Sequence, residues 1–297
     1  MLEAAHREFE VVREVFHEAS EALSLDLWHL IENGPESELN KTEFTQPAIL
    51  AASVALYRAW LSAGGSVPDY IAGHSLGEYS ALVSLGAISL SEGVKLVRRR
   101  GQLMQDAVPV GVGAMAAVLN LDDALVVQCC EKASDVGVVA AVNFNSPGQV
   151  VIAGEVGAVE VASGFCKEAG AKRVLPLPVS VPSHCALMTP AADLLMPYLV
   201  SALVRPPEVP LIQNVTATEV TSLDSLKNNL VKQLYSPVLW TQSVARLSAL
   251  GVTHVVECGP GKVLSGLIKR IDKSMTVFDI ENPEKLHSTI ELMAEKE

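Results

Sequence analysis

The sequence is short of paired cysteines, basic residues and long apolar runs. Its five cysteines are an odd number and include no CxxC pair, which argues against a disulfide framework or a zinc site and indicates reduced thiols in the cytoplasm. Lysine and arginine number 22 against 34 aspartates and glutamates, a net charge of −12. Such a chain has no overall positive field for nucleic acid or an anionic membrane. Charges, glycines or prolines interrupt every apolar run well before the ~18 residues of a membrane span, and the N-terminus carries no targeting pattern.

What the sequence does contain is a large apolar fraction arranged in alternating patterns. Hydrophobic residues make up 49% of the 297 positions, enough for the core of one large domain or two ordinary ones. Towards both ends, short apolar runs alternate with helical patterns, which predicts a parallel sheet covered on both faces. Residues 110–179 instead predict a β-α-β-β-α-β order, that of a ferredoxin-like module. We therefore predict an α/β fold: a discontinuous main domain of residues 1–109 and 180–297, with a ferredoxin-like subdomain inserted at 110–179.

Periodicity and capping residues place the individual elements. Thr45 is the expected N-cap of the second long helix, with Pro47 in its first turn. The helices are predicted over 3–22, 45–63, 79–85, 91–107, 122–134, 156–169, 184–203, 222–235, 241–250, 262–271 and 284–296. The strands are predicted over 70–72, 113–120, 138–144, 149–154, 172–177, 211–215, 253–258 and 276–280.

A candidate nucleophile lies in the sequence GHSLG at residues 73–77. It matches G-x-S-x-G and lies between a predicted strand and a predicted helix, the context of a nucleophile elbow. Ser75 would occupy the strained tip, and the glycines would let neighbouring backbone approach. The N–H of Leu76, at the helix start, would then face a developing oxyanion. The alternative interpretation is a structural turn.

A serine nucleophile needs a base, and His184 is the favoured histidine. It lies at a loop-to-helix junction directly after the predicted insertion, and loops on a rigid scaffold commonly carry such groups. No aspartate or glutamate between Ser75 and His184 is placed like the acid of a triad, although a backbone carbonyl can also orient a histidine. The other histidines lie on charged helices, beside the serine or at a strand end: His6, His17, His29, His74, His254 and His287.

Arg100 is the most informative charged residue. On the helix 91–107 it falls in the middle of the apolar arc, whereas Arg98 and Arg99 point away. A buried guanidinium is unfavourable unless it meets an anion. One interpretation is an internal salt bridge, and the other is bidentate capture of a substrate carboxylate.

Two further features have mainly structural interpretations. The sequence GPGK at 259–262 follows a predicted strand and opens a helix, so it predicts a tight turn, with a phosphate cradle as the alternative. Small groups of basic residues are most often solvated, yet in so acidic a chain they are the candidates for contact with an acidic partner. They are Lys167, Lys172 and Arg173, and Lys262, Lys269, Arg270 and Lys273.

Several motifs in order carry a family resemblance. They are TQPA at 45–48, GHSLGE at 73–78, RG at 100–101, NFNSPGQ at 143–149, VPSH at 181–184, Gln233 and ECGPG at 257–261. On these residues the whole chain resembles the bacterial malonyl-CoA:acyl carrier protein transacylases, the discrete enzymes of fatty acid synthesis.

The resemblance implies an α/β-hydrolase-like domain with a ferredoxin-like insertion. It implies that Ser75 is acylated and that His184 is the base. It further implies that Arg100 binds the malonyl carboxylate and that the backbone carbonyl of Gln233 orients His184. Leu76 would supply one oxyanion N–H. The expected protein is a cytoplasmic, monomeric malonyltransferase that uses malonyl-CoA and acyl carrier protein and needs no cofactor or metal.

The beginning of the chain departs from that family pattern. Family members start with a strand that ends in a Gly-Gln-Gly-Ser-Gln-type loop, whose first glutamine gives the second oxyanion N–H. This sequence starts at the following helix, so we expect both strand and loop to be absent. Losing one oxyanion donor typically costs ~3–4 kcal/mol in the transition state. The missing strand leaves open a catalytically impaired module that binds the carrier. A serine esterase or thioesterase on the same fold is a separate alternative.

Overall fold

The computed structural model describes residues 1–179, 181–203 and 205–294. They form helices and two short pairs of parallel strands. A segment in the middle of the chain forms a four-stranded antiparallel sheet. The protein thus has the mixed α/β architecture that the sequence predicts. No helix in the described ranges is long and apolar enough to cross a bilayer.

Five helices form the first part of the chain. The helix predicted over 3–22 is split at Phe9, whose backbone is extended, and two short helices follow where none was predicted. The apolar faces of the longer helices pack into one large core. The helices are α1 (Glu3–Glu8), α2 (Glu10–Leu23), α3 (Leu27–Asn33), α4 (Glu36–Leu39) and α5 (Thr42–Ser62).

The predicted N-cap at Thr45 is wrong. Helix α5 begins at Thr42, after an extended Lys41, and Pro47 consequently lies inside the helix. The Thr45 hydroxyl donates to the carbonyl of Lys41, 3.1 Å away. A threonine can bond back to the carbonyl four residues earlier instead of capping the turn that follows, so its capping signal is ambiguous.

The next elements are strand β1 (Ile71–Ala72) and helices α6 (Gly77–Ser84) and α7 (Leu90–Ala107). Ser89 caps α7 by accepting from the N–H of Glu92. Helix α7 packs tightly against the start of α5, because a Cβ added to Gly101 would lie 2.6 Å from the Thr42 carbonyl oxygen. As the periodicity predicts, Arg100 is on the buried face of α7 and only 2% exposed.

The middle segment follows the predicted β-α-β-β-α-β order. Its strands form an antiparallel sheet in the order β3-β4-β2-β5, and its two helices share a separate apolar core with that sheet. The domain boundaries at 110 and 179 stay a prediction. The elements are β2 (Gly113–Leu119), α8 (Asp123–Ala133), β3 (Val139–Ser146), β4 (Gln149–Glu155), α9 (Val156–Glu168) and β5 (Arg173–Pro176).

The last part of the chain returns to α/β structure. The helix predicted from 184 starts at Thr189, with Pro190 in its first turn, after a 3-10 turn at Ala186–Met188. The strand predicted over 211–215 has only two residues. The elements are α10 (Thr189–Ala202), β6 (Leu211–Ile212), α11 (Leu223–Lys232), α12 (Trp240–Ala249), β7 (His254–Glu257), α13 (Val263–Ile271), β8 (Thr276–Asp279) and α14 (Pro283–Ala294).

Both strand pairs at the ends of the chain are parallel, as predicted. Strand β1 pairs with β6, and β7 pairs with β8. A cleft of about 910 Å³ is lined by residues of β1, of β7 and of the turns that follow them. The turn between β1 and α6 thus lies at the wall of this cleft.

Candidate active site

The turn between β1 and α6 has the geometry of a nucleophile elbow. Ser75 has a φ of +52°, a left-handed conformation that is unusual for a residue with a side chain. A Cβ added to Gly73 would lie 2.0 Å from the backbone carbon of Gly77, so the first glycine is required by close approach. At Gly77 an added Cβ has open space. Only one of the two motif glycines is therefore sterically necessary.

Asn214 secures this turn from a different part of the sequence. Its Oδ1 accepts from the N–H of Ser75 at 2.6 Å, and its Nδ2 donates to the carbonyl of Gly73 at 2.7 Å. Asn214 lies two residues after β6, the strand that pairs with β1. The sequence predicted no role for Asn214, because it lay inside the strand predicted over 211–215. In the structure β6 ends at Ile212, so Asn214 lies just beyond the carboxyl end of a parallel strand, where sites in α/β folds gather.

Ser75 and His184 meet as predicted. Ser75 Oγ lies 2.9 Å from His184 Nε2, and His184 Nδ1 lies 2.6 Å from the carbonyl oxygen of Gln233. The backbone N–H of His184 also donates to the carbonyl of Leu234 at 2.9 Å. Since a carbonyl can only accept, Nδ1 carries the proton and Nε2 is free to accept from the serine hydroxyl.

The surroundings of His184 keep it uncharged. Burial and, next, the neighbouring Arg100 guanidinium lower the pKa of His184 to about 3, although the Gln233 carbonyl acts in the opposite direction. A neutral imidazole has the lone pair that a general base needs. In this site the carbonyl of Gln233 takes the orienting position that an aspartate has in a Ser-His-Asp triad.

Arg100 contacts the same hydroxyl from the other side. Its Nη2 lies 3.3 Å from Ser75 Oγ and 3.1 Å from Gln233 Oε1, and its Nη1 lies 2.8 Å from Gln46 Oε1. In the described part of the chain Arg100 forms no ion pair with a carboxylate. That finding disfavours the internal salt bridge. Three of the five guanidinium N–H groups are engaged by neutral oxygens, which leaves donors for an anionic ligand.

Two glutamines hold Arg100, and only part of this arrangement is predictable from the sequence. Gln46 belongs to the quoted TQPA motif, but it had been given no contact with Arg100. Gln233 was predicted through its backbone carbonyl alone. Its side chain also donates through Nε2 to the carbonyl of Ser75 at 3.0 Å and to the Glu78 carboxylate. Side-chain amides that face an arginine from distant helices leave no local pattern in a sequence.

Comparisons with known proteins identify the family. The acyl transferase domain family model matches residues 6–283. Over 284 residues the chain is 55% identical to the malonyl CoA-acyl carrier protein transacylase of Escherichia coli K12, covering 96% of this chain and 92% of that protein. The chain belongs to the malonyl CoA-acyl carrier protein transacylase family.

Solved structures give the same assignment. An acyl carrier protein S-malonyltransferase from Vibrio cholerae is similar at a TM-score of 0.95 and 52% identity, covering 97% of this chain and 94% of that one. A malonyl-transacylase solved in complex with its type II PKS acyl-carrier protein is similar at a TM-score of 0.96 and 49% identity, covering 98% and 94%. The family and the α/β fold expected from the motifs are confirmed.

Leu76 and His74 flank the serine in the elbow. Leu76 directly precedes α6, so its N–H lies at the N-terminus of that helix, where the first N–H groups lack intrahelical acceptors. The oxyanion role of Leu76 stays a prediction. His74 turns away from the base position, because its Nε2 lies 2.8 Å from Asn145 Oδ1 in β3. That contact joins the elbow to the four-stranded sheet.

The remaining histidines have other partners. His254 stacks against the ring of Phe278 at the start of β7. Each of the four histidines predicted to lie on charged helices contacts another side chain. His6 stacks on Trp28, His17 pairs with Glu21, His29 contacts Asn33, and His287 pairs with Glu8.

The GPGK sequence forms a turn. Gly261 has a φ of +81°, a conformation that glycine adopts readily. The N–H groups of Leu264 and Ser265, at the start of α13, donate to the two oxygens of Glu257 at 3.0 and 2.7 Å. A carboxylate of the chain itself therefore occupies this helix start, which favours the structural interpretation over a phosphate cradle.

Proposed function

We propose that the protein transfers the malonyl group of malonyl-CoA to the phosphopantetheine thiol of acyl carrier protein, through a malonyl ester on Ser75, in fatty acid biosynthesis. One observation carries this proposal. A single hydroxyl lies 2.9 Å from a neutral imidazole nitrogen of His184 and 3.3 Å from the guanidinium of Arg100. The first group can remove its proton, and the second can bind a substrate that carries its own carboxylate.

The first half of the reaction forms the acyl-enzyme. His184 Nε2 takes the hydroxyl proton while Ser75 Oγ attacks the thioester carbonyl carbon, and the carbonyl oxygen becomes an oxyanion. The N–H of Leu76 is proposed to stabilise that oxyanion. When the tetrahedral intermediate collapses, the C–S bond breaks, and the departing CoA sulfur takes the proton from His184.

The second half reverses these steps with a different thiol. The phosphopantetheine thiol gives its proton to His184 Nε2, and its sulfur attacks the malonyl ester carbon. The bond to Ser75 Oγ then breaks, and the serine recovers a proton from His184. The proposed steps require no metal and no cofactor.

Arg100 is proposed to select the acyl group. Gln46 and Gln233 fix its guanidinium beside Ser75 with neutral oxygens, so its charge stays available to the carboxylate at the far end of a malonyl unit. A buried arginine strengthens such a contact because little water competes for it. An acetyl group has the same thioester but no carboxylate, and it would gain nothing from Arg100.

Intact-mass measurement after mixing with malonyl-CoA tests the proposal. We expect one added malonyl group on the wild type, its loss when acyl carrier protein with a free phosphopantetheine thiol is added, and no adduct on Ser75→Ala. The matched control Ser288→Ala changes an exposed serine on α14 and should be labelled normally. No adduct on the wild type would contradict the proposal.

The same experiment separates the alternatives. An adduct that is lost to water as fast as to the carrier would indicate an esterase or thioesterase. Carrier binding without an adduct would indicate a binding module. We also propose a cytoplasmic location, supported by the five cysteines, all of which are free thiols.

A further inference from the structure

Glu78 is a carboxyl group buried next to the elbow, and its described hydrogen bonds do not include the serine hydroxyl. It lies in the first turn of α6 and is 0% exposed. Its Oε1 accepts from the backbone N–H of Asn214 at 2.8 Å, and its Oε2 accepts from the side-chain Nε2 of Gln233. Both partners come from segments more than a hundred residues away in the sequence.

The environment of Glu78 opposes its charge even with these partners present. Burial raises the pKa of Glu78 to about 8, although the N–H of Asn214, the amide of Gln233 and the charge of Arg100 all act to lower it. Both bonded neighbours are donors, so each carboxyl oxygen is used as an acceptor. A carboxylate in such a place is unfavourable by itself, and its contacts have to compensate.

The amide of Gln233 has two different ends, and its nitrogen contacts both the Glu78 carboxylate and the carbonyl of Ser75, so its oxygen faces Arg100. An amide offers one accepting oxygen and one donating nitrogen. Here Nε2 faces the Glu78 carboxylate, and Oε1 faces Arg100 Nη2 at 3.1 Å. In the reversed orientation the oxygen would face a carboxylate and the NH₂ would face a guanidinium. Both of those contacts are repulsive.

We propose that Glu78 is a positioning residue for malonyl transfer: it fixes the side-chain amide of Gln233 so that the amide oxygen holds Arg100 beside Ser75. This inference rests on the proposed function. Glu78 acts through Gln233 and Arg100 and touches no reacting atom. The backbone carbonyl of the same Gln233 accepts from His184 Nδ1, so one residue links Glu78 to both the cation and the base.

A glutamine at position 78 would not replace the carboxylate. The N–H of Asn214 belongs to the backbone and cannot be reversed, so the oxygen of the new amide would have to face it. The NH₂ of that amide would then face Gln233, whose oxygen would have to turn towards it. Arg100 would lose its acceptor and face an NH₂ group instead.

The test uses Glu78→Gln, Gln233→Glu and the double variant in a cycle. Acyl-enzyme formation is measured as kcat/KM with malonyl-CoA and with acetyl-CoA. Because a hydrogen bond to a charged group is at stake, Glu78→Gln should lower the malonyl-to-acetyl preference by about 10- to 100-fold. Gln233→Glu alone places two carboxylates together and should impair both reactions. The double variant pairs an amide at 78 with a carboxylate at 233 and should recover acetyl transfer relative to Gln233→Glu. Its malonyl preference should stay low, because the carboxylate at 233 pairs with Arg100 and competes with the malonyl carboxylate.

Glu219→Gln is the matched control. Glu219 also uses both oxygens as acceptors, from Arg246 at 3.0 and 2.7 Å, and has no contact with the Ser75 hydroxyl, His184 or Arg100 in the described chain. The malonyl-to-acetyl preference of this variant should equal that of the wild type. Thermal unfolding of every variant shows whether a loss of activity follows a loss of folded protein.

The outcomes separate the inference from the proposed function. An unchanged preference in Glu78→Gln, or an equal fall for both substrates in a folded variant, overturns the positioning role. If Glu78→Gln alone does not fold, the double variant decides: a folded double variant with the wild-type malonyl preference also overturns it, because neither a carboxylate at 78 nor an amide at 233 would then be needed. If the wild type itself forms no malonyl-enzyme, the proposed function fails, whatever the variants do.

Discussion

Arg100 Nη2 lies 3.3 Å from Ser75 Oγ, although 25 residues and the whole of α6 separate them in the sequence. The contact exists because the elbow and the buried face of α7 meet in the same core. Gln46 and Gln233 complete the surroundings of the guanidinium. The Ser75 hydroxyl therefore lies within hydrogen-bonding distance of both an imidazole and a guanidinium.

Arg100→Ala should remove most of the preference for malonyl over acetyl groups. The lost charged contact corresponds to a fall in that ratio of about 100-fold, or ~3 kcal/mol. Arg100→Lys should be intermediate, because an ammonium keeps the charge but loses the planar set of donors. Acylation rates with the two CoA esters measure the ratio. Arg99→Ala, which removes a contact with Tyr198 instead, is the control, and an equal loss for both substrates would contradict the carboxylate role.

The buried, neutral His184 should make stability depend on pH. Its pKa is lowered to about 3 in the folded protein, whereas the unfolded chain binds the proton near the ordinary histidine pKa of 6.5. As pH falls through that window, the unfolded state is favoured, and the free energy of unfolding should decrease by up to ~1.4 kcal/mol per pH unit.

His184→Asn isolates this contribution of the imidazole. Asparagine tolerates the φ of +68° at this position, and its amide can still donate to the Gln233 carbonyl. The wild type should therefore lose stability relative to the variant as pH falls below about 6.5. Urea unfolding at several pH values measures the difference, in which the other titrating groups largely cancel. A difference that is constant with pH would show that folding does not shift the pKa of His184.

The two motif glycines should respond differently to alanine. Gly73→Ala forces a Cβ against the backbone of Gly77 and should destabilise the protein by about 3 kcal/mol, with loss of acylation. Gly77→Ala meets open space at the start of α6 and should leave stability unchanged or raise it by up to ~1 kcal/mol. Chemical unfolding and malonyl labelling check both. Equal effects of the two changes would show that the close approach at Gly73 is not the constraint.

Asn214→Ala should loosen the elbow itself. It removes the acceptor for the N–H of Ser75 and the donor to the carbonyl of Gly73. Leaving these groups unpaired should lower the free energy of unfolding by about 2–4 kcal/mol and slow acylation with both CoA esters alike. Asn229→Ala, which loses one half-buried bond to Gln213, should have a smaller effect on stability and none on acylation. A full acylation rate in Asn214→Ala would contradict the role of Asn214 in holding the elbow.

The sequence predicted long helices and the residues of local motifs well. Apolar periodicity placed Arg100 on the buried face of α7, and G-x-S-x-G between a strand and a helix placed Ser75 at a strained turn. Boundaries were less predictable where two local signals compete, as at Thr45, whose hydroxyl donates to the carbonyl of Lys41, just before α5, instead of capping the helix. The extended Phe9 that splits the first helix also had no local signal.

Contacts made by side chains from distant segments could not be predicted. Glu78 was part of a quoted motif, and Asn214 lay in a predicted strand, yet neither had an assigned partner. Their hydrogen bonds depend on how β1, β6 and the end of α11 meet. The choice between a salt bridge and an anion site at Arg100 was likewise open until its partners proved to be neutral oxygens and no carboxylate in the described chain.

The sequence by itself determined which groups are available: a serine in a glycine-flanked turn, a histidine after a long insertion, and an arginine within an apolar helix face. These follow from local backbone preferences and from the burial of apolar surface. The tertiary structure alone decided that the histidine and the arginine converge on the serine hydroxyl and that Gln233 holds both of them. Hydrogen-bond geometry acts over about 3 Å, and only packing brings residues that are far apart in the chain within that distance.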